Sequence, residues 1–254
     1  MNVAPALAWR GPLQGAPWRG LAVVLLLGVG LAVMRALATL GPAVARPLLP
    51  LGFVIMALTP WLLLRGPGRR AMGLVLPLGS TRWAAALASG MALALACCVC
   101  GTLLYGHGED HWLVSLAQSF RQAVDVTDKP LALLFVLFTG PALLFSPIGE
   151  ELFFRGLLQR ALEDVLPARL ALAIECSAFA CVHLCHHGLF WQAGGWAVRT
   201  PSGWLWAGWM LLAAWLFGHW RQASGSVLPA MVAHAGFNAA MSAYLFAVVW
   251  PALA

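Results

Sequence analysis

The chain has 254 residues, of which 61% are hydrophobic and only 9% are charged, and its mean hydropathy is +0.83. This composition leaves too little polar surface to enclose a water-soluble core, so it excludes a soluble globular protein and predicts an integral membrane protein. The formal net charge is +6, but Lys129 is the only lysine, and the arginines lie singly or in small groups between apolar runs. That pattern is typical of the positive-inside rule and does not indicate a nucleic-acid partner.

Apolar runs recur along the whole chain at roughly 20 residues each, the length that a helix needs to cross a bilayer. No charged or Ser/Gly-rich linker divides them, so we predict a single domain over 1–254. The fold class is all-α, a polytopic transmembrane bundle of about seven to eight spans around a membrane-embedded polar cavity. The predicted spans are 21–40, 48–64, 83–105, 130–147, 170–186, 203–219 and 226–249, with a short helix at 149–165.

Charged residues between the runs predict the topology. Arginines mark every other junction, among them Arg10, Arg19, Arg65, Arg69, Arg155 and Arg160. The loop at 105–129 instead carries Glu109, Asp110, Asp125 and Asp128. The rule therefore places the N-terminus, and the junction after Glu151, on the cytoplasmic side. One lysine against 14 arginines, with many Ala, Gly and Pro, indicates a GC-rich bacterial genome and hence the bacterial inner membrane.

The segment 106–129 is the most polar part of the chain and contains an amphipathic run, Trp112–Val124. An amphipathic helix outside the apolar runs is typical of a segment that lies on the membrane surface. We expect that position for it, and its sequence predicts no chemical role.

The first candidate for chemistry is a pair of adjacent acids, Glu150 and Glu151, at the end of a long apolar run. Ionisable groups at membrane depth are costly, so each one is a functional hypothesis. On a helix, Glu151 faces Arg155 four residues later and can form an ion pair with it. Glu150 is rotated by about 100° and can meet another partner. Taken alone, the two acids could also be capping residues near a helix start.

Two further elements carry polar side chains in apolar surroundings. His183 lies on an otherwise apolar helix, and His234 and Asn238 are four residues apart and share one helical face. The small residues around His234 predict close packing against a neighbouring helix. Each element alone could be a packing feature. Together with Glu150, however, they supply a general base for water and donors for an oxyanion, which peptide hydrolysis without a protein nucleophile requires.

Other polar residues fit a structural reading better. Cys185, His186 and His187 look like a metal site, but they follow a span end and are expected to be interfacial. Glu175, one turn before Phe179, is expected to support the site or to pair with an arginine near the start of its span.

The three elements resemble, in order, the motifs of the CAAX-protease and bacteriocin-processing family of intramembrane glutamic-type peptidases, also called the Abi family. That family has a Glu-Glu-x-x-x-Arg, a Phe-x-x-x-His and a His-x-x-x-Asn motif. The chain reads EELFFRG from Glu150, FACVH from Phe179 and HAGFN from His234. The expected catalytic motif region is therefore 145–245.

The resemblance implies a role for each motif residue. Glu150 and His183 would activate the attacking water, and His234 with Asn238 would form the oxyanion site. Glu151 and Arg155 would be a supporting pair, and Phe179 would line the cavity. The substrate would be a membrane-associated protein or peptide, such as a CAAX-like tail, a leader or a sorting signal.

Two alternatives stay open at the level of sequence. The expected peptidase needs no cofactor, but Glu150, His183 and His234 would also supply three zinc donors with an open fourth position. The chain has no H-E-x-x-H, and an asparagine partner for His234 fits an oxyanion site better than a metal shell. The other alternative is a non-catalytic membrane protein of the same fold, such as an immunity factor or a scaffold. Nothing in the sequence predicts the oligomeric state.

Overall fold

Helices form at every place where the apolar runs predict them. The structure is a computed structural model that describes residues 6–77, 81–192 and 194–253. Its α-helices are α1 Pro17–Leu40, α2 Leu48–Leu63, α3 Gly66–Ala71, α4 Thr81–Tyr105, α5 Trp112–Ala123, α6 Leu131–Glu150, α7 Gln159–Glu163, α8 Ala168–His183, α9 Ser202–Ser224, α10 Leu228–Tyr244 and α11 Trp250–Ala252. The all-α fold class is confirmed.

Five helical segments of the described chain are long and apolar enough to cross a membrane: Pro17–Leu40, Ala43–Leu63, Trp83–Tyr105, Leu131–Glu163 and Leu228–Ala252. Their outward faces carry exposed side chains such as Leu26, Leu62 and Leu103, as expected where lipid replaces water. Two further helices, α8 and α9, lie at the predicted spans 170–186 and 203–219 but are not among the five. The first has only 16 residues, and tryptophans interrupt the apolar run of the second.

The predicted short helix at 149–165 is the continuation of α6, not a separate element. A π-helical segment, Glu151–Leu158, follows α6 directly and runs into α7, and all eight of its residues are buried. π-helical turns are rare and occur often at functional sites, because they re-aim side chains relative to an α-helix. The Glu-Glu-x-x-x-Arg motif therefore lies where this long helix changes its geometry.

A β-hairpin that the sequence analysis did not predict lies between α8 and α9. Its strands are β1 Leu189–Gln192 and β2 Gly195–Val198, which pair in antiparallel orientation. Gly194 takes a positive φ of 80° in the connection, and Trp191 and Trp196 pack edge to face across the strands. The strands are only four residues long, which is too short for an alternating pattern to predict them.

Close packing of α10 on α4 brings His234 and Asn238 into the bundle. A Cβ atom at Gly90 would lie 1.8 Å from the carbonyl oxygen of Ala233, and one at Gly236 would lie 2.6 Å from that of Leu87. Only glycine permits this approach of two backbones, as in other membrane helix pairs. The predicted close contact of the small-residue face around His234 is confirmed.

The amphipathic helix α5 packs its apolar face against the bundle, and its position at the membrane surface stays a prediction. Its residues Trp112, Leu113, Val114 and Ala117 are buried. Phe120 stacks on Phe138 of α6 with ring centroids 4.1 Å apart. Other helices therefore cover the apolar face of α5.

Candidate active site

A cavity of about 270 Å³ lies between α1, α2, α5, α6, α8, α9 and α10. The four predicted catalytic residues, Glu150, His183, His234 and Asn238, all line it. Most of the remaining wall is apolar and aromatic, including Trp112, Phe120, Phe138, Trp206 and Phe217. A concave apolar pocket with a few converging polar groups is the usual form of a small binding or active site.

Glu150 occupies the centre of the polar groups. Its side chain is 1% exposed, and its Oε1 atom accepts a hydrogen bond from the Nη2 atom of Arg35. The other oxygen, Oε2, accepts no hydrogen bond from any group in the described part of the chain. It lies 3.9 Å from Nε2 of His183 and 3.8 Å from Nε2 of His234. These distances are too long for direct hydrogen bonds but suit a small polar group bound between the three atoms.

Glu151 belongs to a separate network, as the helical geometry predicts. Its Oε1 atom accepts hydrogen bonds from Nη1 of Arg155 at 3.1 Å and from Nδ1 of His234 at 2.8 Å. The Arg155 side chain is fully buried, and its Nε atom lies 3.4 Å from a carboxylate oxygen of Glu175. Arg155 therefore neutralises two buried carboxylates, and Glu151 orients His234.

Phe179 supports this network as well as lining the cavity. The guanidinium carbon of Arg155 lies 4.1 Å from the centroid of the Phe179 ring, within the range of a cation–π contact. The ring of His183 packs on Phe179 with centroids 4.2 Å apart. One aromatic ring thus separates the ion pairs of the motif arginine from the cavity.

Hydrogen bonds fix the tautomers of both motif histidines. Nδ1 of His183 lies 2.7 Å from the carbonyl oxygen of Phe179, which can only accept, so Nδ1 carries the proton and Nε2 is an acceptor. Nδ1 of His234 likewise donates to Glu151, and its ring stacks on Phe217. Both Nε2 atoms are therefore hydrogen-bond acceptors when the rings are neutral, and that of His183 accepts from Arg35.

Asn238 lies one helical turn beyond His234 on α10. Its Nδ2 atom donates a hydrogen bond to the carbonyl oxygen of Ala142 at 2.8 Å, which ties α10 to α6. A side-chain amide has two N–H groups, so one of them stays available to a ligand in the cavity.

Zinc, the alternative that the sequence left open, does not fit this arrangement. A zinc ligand must present an unshared pair to the metal. Nε2 of His183 and Oε1 of Glu150 instead accept N–H groups of Arg35, so a guanidinium cation lies against two of the three donors. Within the described residues, no group of three His, Cys, Asp or Glu side chains is arranged to hold a metal ion.

Two residues of the site were missed by the sequence analysis or given another partner. Arg35 of α1 is 4% exposed and contacts both Glu150 and His183. Its signal was in the sequence, because it is the only charged residue within the apolar run 21–40. Glu175 pairs with the motif arginine, Arg155, and not with an arginine near the start of its span.

A second polar cluster lies beside the cavity, outside the five candidate spans. His187, expected to be interfacial, is buried between Ser115 of α5 and Ser202 of α9, at 2.8 and 3.1 Å. Burial, and after it the nearby Arg199, lower the pKa of His187 to about 4. His111, which accepts a hydrogen bond from the backbone of Leu113, is fully buried, and burial lowers its pKa to about 4 as well.

Comparison with known proteins points to the same part of the chain. Residues 131–240 match a family model described as type II CAAX prenyl endopeptidase Rce1-like. No curated protein and no solved structure matches the chain. The matched residues include all three motifs and every residue that they place around the cavity. Over residues 131–240 the chain is therefore similar to the Rce1-like CAAX prenyl endopeptidases, in agreement with the resemblance that its three motifs carry.

Proposed function

We propose that the protein is an intramembrane endopeptidase in which Glu150 activates a water molecule to hydrolyse a peptide bond. The observation that carries this proposal is the Oε2 atom of Glu150. It is buried, has no hydrogen-bond donor among the described residues and lies between two histidine Nε2 atoms at 3.8 and 3.9 Å. A water molecule bound there would meet a base and two further polar atoms.

The reaction can be written with groups that the cavity contains. Water donates a proton to Oε2 of Glu150 as its oxygen attacks the scissile carbonyl, and the ring of His183, whose Nε2 atom accepts from Arg35, lies beside that water. The resulting oxyanion is stabilised by the free N–H of Asn238 and by Nε2 of His234, which donates only when its ring carries a second proton. Glu150 then returns the proton to the leaving nitrogen as the C–N bond breaks. The products are a carboxylic acid and an amine.

Burial strengthens each of these electrostatic contacts because little water screens them. It also requires that the supporting charges be fixed in advance. Arg155 balances Glu151 and Glu175, and Glu151 in turn orients His234. We therefore assign Glu151 and Arg155 to support of the site, and Phe179 both to that support and to the lining of the cavity.

The substrate that we propose is a membrane-associated protein or peptide, with a lipid-modified CAAX-like tail as the first candidate. The matching family is one of CAAX prenyl endopeptidases, a name that refers to prenylated CAAX substrates. The aromatic wall formed by Trp112, Phe120 and Phe138 suits an apolar chain next to the polar groups. From the charge pattern, we further propose the bacterial inner membrane with a cytoplasmic N-terminus.

A cleavage assay on the purified protein tests the proposal. The probe is an internally quenched peptide with a farnesylated cysteine followed by three residues, together with its unfarnesylated form. The wild type should cleave it, and Glu150→Gln should lower kcat by at least about 100-fold, because a general base contributes that much or more. Glu109→Gln is the control, since its side chain is 80% exposed in a loop. Equal cleavage by the wild type and Glu150→Gln would show that the proposal is wrong.

A second experiment addresses the natural substrate. Glu150→Gln keeps the shape of the cavity but removes the base, so it should retain uncleaved substrate in cells. Cross-linking followed by mass spectrometry should then recover peptides that span a cleavage site, and the wild type should recover fewer. Recovery of lipids alone would argue for a non-catalytic membrane protein of the same fold.

A further inference from the structure

One charged side chain in the cavity belongs to none of the three motifs. Arg35 lies in α1, 115 residues before Glu150, and outside the segment that matches the family model. It shares the buried face of α1 with Val24, Leu31 and Ala38, while Leu26 and Val29 face outward. The helix therefore directs the arginine into the bundle and not toward lipid.

The guanidinium group of Arg35 contacts both Glu150, the proposed base, and His183 beside it. Nη2 donates a hydrogen bond to Oε1 of Glu150, and Nη1 donates to Nε2 of His183 at 3.0 Å. A second ring, that of His186, lies 3.5 Å from Nη1. A planar guanidinium can hold two acceptors at once in a fixed relative orientation, which an ammonium group cannot.

These contacts determine which atoms remain for a ligand. With Oε1 held by Arg35, Glu150 presents only Oε2 toward the two histidine nitrogens. The bond from Arg35 to Nε2 requires the tautomer in which Nδ1 of His183 donates to Phe179. The arginine thus links the position of the carboxylate to the tautomer of the imidazole.

The charges of the buried carboxylates also indicate that Arg35 belongs to the site. Glu150, Glu151 and Glu175 are all buried within two connected networks, and Arg155 pairs with the latter two. Arg35 is the cation that contacts Glu150 within the described residues. Without it, Glu150 would be a buried carboxylate with no compensating cation, which is strongly unfavourable.

We propose that Arg35 is a positioning residue of this site, which holds Glu150 with one oxygen directed to the attacking water and fixes His183 in its acceptor tautomer. The inference rests on the proposed function and deepens it. It assigns to α1 a part of the site that the motifs do not contain. Arg35 acts through Glu150 and His183, and not on the substrate.

The test is a kinetic comparison of Arg35→Gln, Arg35→Lys and the wild type on the quenched farnesylated peptide. Arg35→Gln should lower kcat by about 100-fold, because displacement of a catalytic group by about 1 Å has an effect of that size. KM should change by less than about threefold, since the substrate itself loses no contact. Arg35→Lys keeps the charge but cannot hold both acceptors, so its kcat should lie between the two. Arg19→Gln, on the exposed part of the same helix, should match the wild type.

Chemical rescue separates a positioning role from a merely structural one. Guanidinium ion added to Arg35→Ala should restore part of kcat, whereas sodium at the same ionic strength should not. Neither salt should raise the activity of Glu150→Gln. The inference would be overturned if Arg35→Gln kept the wild-type kcat. It would also be overturned if the loss of kcat followed a lowered melting temperature and was rescued neither by guanidinium in Arg35→Ala nor by the lysine in Arg35→Lys. Either result would leave the proposed function intact.

A readout without catalysis covers the remaining case, in which the wild type cleaves no probe and the proposed function fails. Melting temperatures are then compared for Arg35→Gln, Glu150→Gln and the double variant. Coupling requires that the double variant lose less than the sum of the two single losses. Additive losses would show that Arg35 does not hold Glu150, independently of any activity.

Discussion

The segment 131–240 and the helices that precede it contribute different things to one cavity. The segment supplies every motif residue and, through Glu151, Arg155 and Glu175, the ion pairs that support them. The helices α1 to α5 supply no motif, yet they provide Arg35 and much of the apolar wall, including Phe53, Trp112 and Phe120. The reactive groups therefore come from local sequence patterns, whereas their surroundings come from tertiary packing.

This difference between the two regions shows which residues of a membrane site a sequence motif can identify. Glu150, Glu151 and Arg155 are close in sequence, so their spacing encodes their geometry. The contact between Arg35 and Glu150 spans 115 residues and follows only from the packing of α1 against the other helices. A motif scan would therefore find the segment and miss the charge that balances its base.

The largest effect is expected within the segment, at Arg155. Arg155→Met should lower the free energy of unfolding by about 3–5 kcal/mol, because two buried carboxylates would lose their cation. Thermal unfolding in detergent measures this loss, with Arg169→Met as the exposed control on α8. Combining Arg155→Met with Glu175→Gln should lose less than the sum of both. Strict additivity would instead mean that Glu175 is not a partner of Arg155.

The next largest effect on stability is expected where the two regions contact each other, between α4 and α10. Gly90→Ala adds a Cβ atom 1.8 Å from the carbonyl oxygen of Ala233, so the helices must separate. We expect a loss of about 1–3 kcal/mol in stability, as is usual for overpacking, and a fall in kcat because His234 moves with α10. Gly208→Ala is the matched control, since its Cβ would meet open space. If Gly90→Ala left both stability and kcat unchanged, the close contact between α4 and α10 would not contribute to the site.

Most of the fold was predictable because hydropathy determines where membrane helices lie. All seven predicted spans correspond to helices, and the motif helix was expected in its place. The parts that were not predicted depend on tertiary contacts. The packing of α5 depends on partners such as Phe138, which lies in a different run, and the hairpin 189–198 is too short to show a pattern.

The site was predictable to a similar degree. The ion pair of Glu151 with Arg155 follows from helical spacing, and the structure contains it. The convergence of Glu150, His183, His234 and Asn238 on one cavity was expected from the motifs, and their catalytic roles remain a proposal. Arg35 was within reach, since a lone arginine inside an apolar run is itself a signal, but its partner could not be read from α1 alone.

A smaller effect concerns the polar cluster that joins α5 to the segment. His111 and His187 have folded pKa values of about 4, below the unfolded value of about 6.5, so the unfolded chain binds more protons between these values. Their contribution is complete above pH 6.5 and is lost as the pH falls toward 4. The difference between pKa values of 6.5 and about 4 corresponds to about 3 kcal/mol for each group, and partial screening by solvent reduces this to on the order of 2 kcal/mol. His187 faces Ser115, Ser202, Asp110, Arg199 and His111, and His111 faces Thr102 and His107.

Unfolding curves between pH 4 and 7.5 check this prediction. His111→Gln should flatten the acid loss relative to the wild type, because one titrating group is removed. His219→Gln, at an exposed position on α9, should keep the wild-type slope. A wild-type slope in His111→Gln would mean that another group causes the acid loss.

The smallest effect is expected at Arg199, which joins the hairpin to the polar loop. Its Nη1 atom lies 3.7 Å from carboxylate oxygens of both Glu109 and Asp110, but these side chains are 80% and 56% exposed. Arg199→Gln should therefore change stability at neutral pH by less than about 1 kcal/mol. Because Arg199 also holds the pKa of His187 down, its removal should bring that pKa closer to 6.5 and make the acid loss slightly shallower. A large loss of stability at neutral pH would instead show that α5 is held to the segment mainly by the ion pairs of Arg199 and not by the buried histidines.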